Sequence, residues 1–374
     1  MILFTVSAAF FLYLYVSQRM GDVPDPAQFE GLTNFQDGKF RNLDPVVLDR
    51  KKIARKSNWL RKLTSREHFP PVSLPIHSAT PEELAKPDMD FSVRWLGHAS
   101  LLMEWGSLRI LVDPVFGNAA PVPGIVPRYT PPPIRREDLP HIDWVLLTHD
   151  HYDHLEYDTI RFFVCKPKTR FVVPLGVGTR LRGWGIAPER IVELNWYDST
   201  VLYDTLTVTM TPGRHFSGRS LKDRDRTLWG GYVLADAKRR IYLAGDGGYG
   251  QHFAEVGKRL GPFDLVFLEI DAWNERWPNN HTFPEEIAAI FREVNGALFF
   301  PIHWAVFDLA MHPWDESIGK VESLAAQHQI PLVTPQLGQK WSFGMPTGNW
   351  WKPFSSGSAS DAAPVGKTDP AAIP

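Results

Sequence analysis

The feature that most constrains the fold is a cluster of metal-binding side chains directly after a short apolar segment. The segment DWVLLT at 143–148 is almost entirely apolar, which is typical of a strand buried on both faces. Five of the next six positions hold imidazoles or carboxylates, namely His149, Asp150, His151, Asp153 and His154. Buried groups of this kind need partners, and imidazole nitrogen with carboxylate oxygen suits zinc and similar first-row divalent metals. The sequence therefore predicts a metal site where this strand ends.

Three other strand ends carry ligands that a six-residue loop cannot supply. His215 follows the segment LTVTMTP, Asp246 follows RRIYLAG, and His303 ends ALFFPIH. Each of these residues alone is a weak signal, because a single histidine after a strand is more often a surface residue. Together with the first cluster they form one series, in which four strands each end in a histidine or an aspartate. We therefore expect the four strand ends to meet at one site.

The rest of the sequence favours sheets flanked by helices. A chain of 374 residues is long enough for one large domain or for two halves around a shared site. Short runs with strand character recur from Phe91 onward. Helices are predicted near 157–165, 251–260, 284–294 and 314–327. The segment TPEE at 80–83 is a helix-start signal, and Thr282 with Glu285 forms a second one. The loose alternation of strands and helices argues against an all-β protein or a helical bundle.

Charge and cysteine content exclude some classes of protein. The net charge is −2, so no basic surface announces a nucleic-acid partner and a nuclease is disfavoured. Cys165 is the only cysteine, which rules out an intrachain disulfide. We predict that Cys165 is a small buried hydrophobic residue in a helix and not a nucleophile.

The first 16 residues, MILFTVSAAFFLYLYV, carry no charged side chain. A spanning helix needs roughly 17–25 residues, so this run predicts an uncleaved membrane anchor or a helix that lies in one leaflet. A buried N-terminal helix is the alternative. Arg19, Lys39 and Arg41 follow the run and favour a cytosolic body. The predicted organisation is an anchor at 1–18, an arm at 19–90 with a short helix near 46–56, a main domain at 91–350 and a disordered tail at 351–374.

Longer stretches resemble a known family. The pattern HxHxDH at 149–154, with a distant histidine, an aspartate after a strand and a last histidine, is similar to the metallo-β-lactamase superfamily. The segments WLGHASLLME, THDHYDHLEY, TPGRHFSGRSL, AGDGGYG, HTFPEE and PIHWAVFDLA resemble its N-acyl-phosphatidylethanolamine-hydrolysing phospholipase D group. The resemblance covers roughly residues 91–343. It implies an α+β fold, a four-layer αβ/βα sandwich, with two zinc ions or other first-row divalent metals in the cleft between two sheets.

The resemblance also implies a role for each ligand. One metal would be held by His149, His151 and His215, and the second by Asp153, His154 and His303. Asp246 would bridge the two metals, and a hydroxide between them would attack the phosphoryl group. The implied partners are a phospholipid substrate at a membrane surface and a second copy of the chain in a homodimer.

Four further residues near this motif receive expected roles. His281 matches a family histidine, which implies contact with a substrate oxyanion or protonation of the leaving group; the alternative is a structural cap. His98 and Asp113 are expected to support the ligands from beneath the metals, or else to form local turn bonds. Asp150 has no ligand role and is expected to orient an imidazole or to be exposed.

Two carboxylates depart from the pattern of the group. Mammalian members carry proline and glycine where this chain has Glu269 and Asp271. Carboxylates beside the metals would repel an anionic phosphodiester, or would serve as a general acid if desolvated. Pairing with a nearby arginine such as Arg276 is the alternative.

Three functional hypotheses remain open at this point. The first is a zinc-dependent phosphodiesterase of phospholipase D type. The second is a lactonase, a β-lactamase-like enzyme or a sugar-phosphate lactonase relative on the same metal core, since this fold hosts many chemistries. The third is a non-catalytic envelope or assembly protein, which is disfavoured because the ligand set is complete.

Overall fold

The computed structural model describes residues 2–46, 68–87, 90–122, 124–204, 206–310 and 312–355. The short helix predicted near 46–56 and the tail after residue 355 lie outside the described residues. The helices are α1 (Ile2–Met20), α2 (Pro81–Ala85), α3 (Tyr157–Val164), α4 (Val177–Gly183), α5 (His252–Leu260), α6 (Ile287–Val294) and α7 (Glu316–His328).

The strands form one small hairpin and two large sheets. The hairpin pairs β1 (Phe35–Gln36) with β2 (Lys39–Phe40). The first large sheet has the order β15-β3-β4-β5-β6-β7-β8. Its strands are β3 (Phe91–Gly97), β4 (Ser100–Trp105), β5 (Leu108–Val112), β6 (Trp144–Leu146), β7 (Arg170–Pro174), β8 (Ile191–Leu194) and β15 (Lys340–Trp341).

The second large sheet has the order β14-β13-β12-β11-β10-β9. Its strands are β9 (Ser199–Tyr203), β10 (Leu206–Thr211), β11 (Gly231–Ala235), β12 (Arg240–Leu243), β13 (Leu265–Glu269) and β14 (Phe299–Ile302). Strands β5 to β8 run parallel in the first sheet, and β12 to β14 run parallel in the second. The carboxyl ends of parallel strands lie at one edge of a sheet, which is where ligand sites form in such sheets.

Two hydrophobic cores show the layering. The larger core lies between the sheets and contains one face of β5 and β6, such as Val112 and Leu146, with Val208 and Leu234 of the second sheet. The smaller core lies on the opposite face of the first sheet, which α3 and α4 cover. Helices α5, α6 and α7 pack on the outer side of the second sheet. The predicted four-layer αβ/βα sandwich is confirmed.

Helix α1 corrects the predicted localisation. No helix in the described part of the chain is both long enough and apolar enough to cross a bilayer, which contradicts the predicted N-terminal membrane anchor. The last turn of α1 contacts the rest of the protein, because the Arg19 guanidinium lies 2.9 Å from the Asp158 carboxylate. The buried-helix alternative also fails, because Phe11 and Tyr13 are 69% and 68% exposed.

The described part of the arm contributes to the core. The rings of Phe29, Phe35 and Phe40 are buried and lie 4.9–5.4 Å apart between centroids. Helix α2 begins at Pro81 as predicted, because the Thr80 hydroxyl accepts from Glu83 N and the Glu83 carboxylate accepts from Thr80 N. The bounds predicted for the anchor, the arm, the main domain and the tail stay predictions.

Other details differ from the sequence prediction. Cys165 follows the last turn of α3 and is exposed, so the prediction of a buried residue is wrong. The predicted box of Thr282 and Glu285 does not form, because Thr282 donates its hydroxyl to Gly247 O and the Glu286 carboxylate accepts from Phe283 N instead. Strand β9 and helix α4 were not predicted, since both are short and lack a clear hydrophobic period.

Candidate metal centre

The predicted strand ends meet at one site between the two sheets. His149 follows β6 of the first sheet, whereas Asp246 follows β12 and His303 follows β14 of the second. His215 lies beyond the end of β10 in the second sheet. Because both sheets present these ends to the same seam, side chains far apart in sequence come within contact distance.

The first group of ligand atoms comes from His149, His151 and His215. The His149 Nε2 atom lies 2.9 Å from His151 Nδ1, and His215 Nε2 lies 3.2 Å from the same atom. Nitrogens about 2.0–2.1 Å from one tetrahedral zinc ion lie roughly 3.4 Å apart, which is close to these spacings. The three imidazoles that the sequence assigns to one metal are therefore brought together.

The second group comes from Asp153, His154 and His303. The Asp153 Oδ2 atom lies 3.5 Å from both His154 Nε2 and His303 Nε2. His98 lies next to this group, and its Nε2 atom is 3.0 Å from the same carboxylate oxygen. The structure therefore places His98 directly against a predicted ligand, where it can orient the Asp153 carboxylate.

Asp246 lies between the two groups. Its Oδ2 atom is 3.0 Å from His303 Nε2 and 3.1 Å from His154 Nε2 in the second group. The same oxygen is 4.0 Å from His215 Nε2 in the first group. This is the position that a carboxylate shared by two metals would occupy.

Buried polar atoms at the centre fit a cation. His154 Nε2, His303 Nε2 and Asp246 Oδ2 are all buried and form no hydrogen bond of acceptable geometry. Buried polar atoms without partners are costly, and these three point at one another. A divalent metal would satisfy all three, and the set of imidazoles and carboxylates is one that zinc and similar ions prefer.

Hydrogen bonds behind the ligands orient the imidazoles. His215 Nδ1 lies 2.8 Å from Asn280 O, which leaves Nε2 with its lone pair facing the site. His154 Nδ1 lies 2.8 Å from the Asp113 carboxylate. That carboxylate also accepts from the Thr148 hydroxyl at 2.6 Å and from Thr148 N at 2.8 Å. Asp113 therefore lies behind His154, where its carboxylate can fix the orientation of that ring.

Replacing Asp113 with asparagine is expected to weaken metal binding by about 10–100-fold, because His154 loses the carboxylate that fixes its ring. Competition with a chromophoric chelator measures the change. The matched control is Asp143→Asn, because the Asp143 carboxylate accepts from Arg109 N at the opposite, amino ends of β5 and β6. Unchanged affinity in the Asp113 variant would show that the bond does not support the ligand.

Burial keeps several ligand imidazoles neutral, which is the form that binds metals. Burial lowers the pKa of His151 to about 4, and it depresses the pKa of His149 and His215 well below the usual value. Burial opposes the charged form of His303 as well, but the Asp246 and Asp153 carboxylates outweigh it and raise the pKa of His303 to about 10. A cation bound between these carboxylates would displace that proton.

Three residues at the site have backbone conformations that L-amino acids rarely adopt. His98, Asp113 and His303 have φ angles of 53°, 40° and 74°. The His303 N–H donates to His98 O at 2.9 Å, so the two sheet edges are joined directly beside the site. Such strain persists only where the surroundings enforce it, and it concentrates at functional sites.

His281 lies at the margin of the centre. Its ring centroid is 5.2 Å from that of His215 and 5.3 Å from that of His303. His281 Nδ1 lies 3.2 Å from the Glu269 carboxylate, which is fully buried and also accepts from Thr282 N at 2.8 Å. Burial raises the pKa of Glu269, whereas the His281 imidazole opposes that rise. Glu269 therefore has its partner, His281, at the margin of the site.

Asp271 lies in a separate cluster. Its Oδ1 atom accepts from the Ser317 hydroxyl at 2.7 Å and lies 3.1 Å from His312 Nε2. The His312 ring stacks on Trp273 with centroids 4.7 Å apart. The two unusual carboxylates thus have different surroundings, Glu269 beside His281 and Asp271 beside Ser317 and His312.

Asp150 does not behave as the sequence predicts. It is fully buried instead of exposed, and its carboxylate pairs with Arg180 at 2.7 Å instead of bonding directly to an imidazole. Sequence reasoning missed Arg180, since the segment VGTRLRG carries no pattern that points to the site. It also missed Thr148, although a polar residue at the end of an apolar strand is a signal that could have found it.

A family comparison decides where the chain belongs. The model of the Beta-lactamase superfamily domain matches residues 108–304, more than half of the chain and all of the described strand ends that carry predicted ligands. The chain belongs to the metallo-β-lactamase superfamily. It is accordingly a hydrolase of a metal-dependent family, as its ligand groups indicate.

Relatives within the metallo-β-lactamase superfamily cover most of the chain. An uncharacterised protein of Mycobacterium tuberculosis is 38% identical over 332 residues, which span 85% of this chain and 87% of that protein. N-acyl-phosphatidylethanolamine-hydrolyzing phospholipase D 1 of Caenorhabditis elegans is 30% identical over 301 residues, 74% of this chain and 84% of that protein. Among solved structures, the isothiocyanate hydrolase from Delia radicum gut bacteria has a TM-score of 0.55 at 19% identity, covering 67% of this chain and 98% of its own. That structural likeness shows the fold alone.

Proposed function

We propose that the chain is a phosphodiesterase of phospholipase D type that hydrolyses N-acyl-phosphatidylethanolamine or a related phospholipid with two zinc ions. The observation that carries the proposal is the position of Asp246, whose Oδ2 atom lies within 4.0 Å of imidazoles from both ligand groups. A phosphodiester suits such a centre, because charge develops on both the attacking and the leaving oxygen. The 30% identical Caenorhabditis elegans phospholipase D supports the choice of substrate.

The metal-holding residues and the residues behind them have different roles in this reaction. Metal ions held by the two groups would activate water and stabilise the charge that develops on the phosphoryl group. The supports behind the ligands, Asp113 and the Asn280 carbonyl, keep the imidazoles of His154 and His215 in place without rearrangement during the reaction. Burial of the ligand atoms excludes bulk water and strengthens each electrostatic interaction at the centre.

His281 is suited to protonate the leaving group. The Glu269 carboxylate holds Nδ1, so the Nε2 atom is the one free to face the substrate. The ring is 13% exposed, while the neighbouring ligand rings are buried, so His281 stands between the metal groups and the solvent-accessible side. An alkoxide leaves a phosphodiester more readily when a positioned acid supplies its proton.

Replacing His281 with glutamine is expected to lower kcat by roughly 10²-fold for a phospholipid substrate. A diester with a p-nitrophenolate leaving group should lose far less, because that group departs without a proton. Steady-state kinetics on both substrates measure the difference. The control is His141→Gln, since His141 forms a similar pair with Asp143 at the opposite edge of the first sheet. Equal losses of kcat on both substrates would show that His281 does not protonate the leaving group.

A substrate panel tests the proposed function as a whole. The purified, zinc-loaded chain is given N-acyl-phosphatidylethanolamine and a diacyl phospholipid in detergent micelles, a chromogenic phosphodiester, a lactone and a cephalosporin. Release of phosphatidic acid from the N-acylated lipid, detected by mass spectrometry, is the expected result. Turnover of the lactone or the cephalosporin without turnover of any phosphodiester would overturn the proposal in favour of the lactonase hypothesis.

A further inference from the structure

A network of buried charges lies directly behind the metal-binding loop. Asp150 is the residue between His149 and His151, and its side chain is fully buried. The Arg180 guanidinium, also fully buried, donates from Nε to Asp150 Oδ2 at 2.9 Å and from Nη2 to Asp223 Oδ2 at 2.8 Å. The loop that carries two predicted metal ligands is therefore tied to Arg180 through the residue between them.

The second Asp150 oxygen and the loop backbone are also held. Gly218 N donates to Asp150 Oδ1 at 2.7 Å, and the Thr227 hydroxyl donates to Oδ2 at 2.9 Å. The buried Arg219 guanidinium donates from Nη1 to the backbone carbonyls of Asp150 and Leu155, both at 2.8 Å. Buried arginines therefore hold the metal-binding loop at both of its ends. Arg180 and Arg219 bind Asp150 at the start of the loop, and Arg219 binds Leu155 at its end.

The same arginines hold the end of helix α1. Arg180 Nη1 donates to Met20 O at 2.7 Å, and Arg219 Nη2 donates to Arg19 O at 2.7 Å. Trp184 Nε1 donates to Gln18 O at 2.8 Å. The last carbonyls of a helix have no partners within the helix, and cationic donors there are favoured by the helix dipole. The C-terminal turn of α1 and the metal-binding loop therefore share their supports.

Buried ion pairs of this kind act on conformation more than on stability. Desolvation offsets most of the attraction between the charges, but removing one partner leaves an uncompensated charge in the interior. The Asp150 carboxylate can keep its contacts only while the backbone between the two histidines stays in its present position. A shift of that backbone would move both imidazoles away from His215, with which they form the first ligand group.

We propose that Arg180 is a positioning residue for His149 and His151, and that the last turn of α1 is part of the support of the first metal site. The proposal does not depend on the substrate, so its failure and the failure of the proposed function are separate outcomes. It connects the N-terminal helix to metal binding, although the helix supplies no ligand from the described residues.

The test is Arg180→Met in the full chain, with Arg190→Met as the matched control. Arg190 is also a buried arginine, and it donates to the carbonyls of Phe163, Lys166 and Thr169. Chelator competition measures zinc affinity, and the visible absorption of the cobalt-substituted protein reports ligand geometry. We expect Arg180→Met to weaken one of the metal sites by about 10–100-fold and to change the cobalt spectrum. Wild-type affinity in Arg180→Met, or an equal loss in Arg190→Met, would overturn the proposal.

A second variant covers the case in which Arg180→Met fails to fold. Arg180→Lys keeps the charge but cannot make the forked contacts to Asp150, Asp223 and Met20, so a folded protein with weakened metal binding is expected. Hydrogen exchange then tests the link to α1. In the wild type, zinc should slow exchange of the Gly21 amide, which bonds to Ser17 O, and it should not do so in Arg180→Lys. If zinc leaves that amide unchanged in the wild type, the helix is not part of the support.

Discussion

Replacing Asp246 with asparagine is expected to lower kcat/KM on any hydrolysed substrate by at least about 10⁴-fold, which corresponds to roughly 5 kcal/mol of lost transition-state stabilisation. Asparagine keeps the size of the side chain and one oxygen but carries no charge. The Asp246 carboxylate is the group that lies between both ligand sets, at 3.0 Å and 3.1 Å from His303 and His154 and 4.0 Å from His215. Without this charge, two metals held by the proposed groups would lose the ligand that they share.

The measurement is kcat/KM on a chromogenic phosphodiester, together with the metal content of the purified protein. Asp264→Asn is a suitable control, because the Asp264 carboxylate accepts from Arg240 N at the amino ends of β12 and β13, the edge away from the site. That variant should keep wild-type activity. Substantial activity in Asp246→Asn would exclude a bridging role for Asp246.

Removal of the metals is expected to lower the melting temperature by roughly 10 °C. A ligand present at a thousandfold excess over its Kd stabilises the folded state by about 4 kcal/mol, and a large domain shifts by about 2–4 °C for each kcal/mol. The structural reason is that His154 Nε2, His303 Nε2 and Asp246 Oδ2 are buried without hydrogen-bond partners. Without a cation these atoms carry an uncompensated desolvation cost.

Differential scanning calorimetry with and without a strong chelator measures this shift, and added zinc should restore the original transition. The Asp246→Asn variant serves as an internal control, because a protein that has lost its metals should respond little to the chelator. Identical melting temperatures of the loaded and the chelated wild type would show that the orphaned atoms are not satisfied by a metal.

The ligands could be predicted from the sequence because their positions follow from chain direction. Strand β6 runs parallel to β5 in the first sheet, and β12 runs parallel to β13 and β14 in the second, so the residue after each apolar segment lies at the carboxyl edge of its own sheet. His149, Asp246 and His303 occupy those places. The apolar runs therefore predict which residues follow strand ends, whereas the four-layer sandwich that brings the two edges together is implied by the family resemblance.

The contacts of Arg180 and Glu269 could not be predicted in the same way. Arg180 lies 30 positions from Asp150 on a short helix, and its role depends on how α4 packs on the first sheet. The partner of Glu269 is likewise set by the turn that brings His281 to the end of β13. Such contacts depend on the angle between elements, which the hydrophobic pattern does not specify.

For the N-terminal segment, the sequence predicts a membrane anchor that the structure contradicts. Its composition alone suggests a membrane anchor, because the first 16 residues lack charge. In the structure, the end of that helix binds to the rest of the protein. The Arg19 carbonyl accepts a hydrogen bond from Arg219, and the Met20 carbonyl accepts one from Arg180. The composition of a segment shows how apolar it is. It does not show which distant side chains, here Arg180 and Arg219, will donate hydrogen bonds to its carbonyls.

The division of ligands between the two sheets bears on how the protein matures. His149, His151, Asp153 and His154 come from the first sheet, whereas His215, Asp246 and His303 come from the second. During synthesis His303 leaves the ribosome long after strands β3 to β8 of the first sheet, so the early half of the chain carries only part of each ligand set. Neither ligand set is therefore complete until the second sheet has packed against the first.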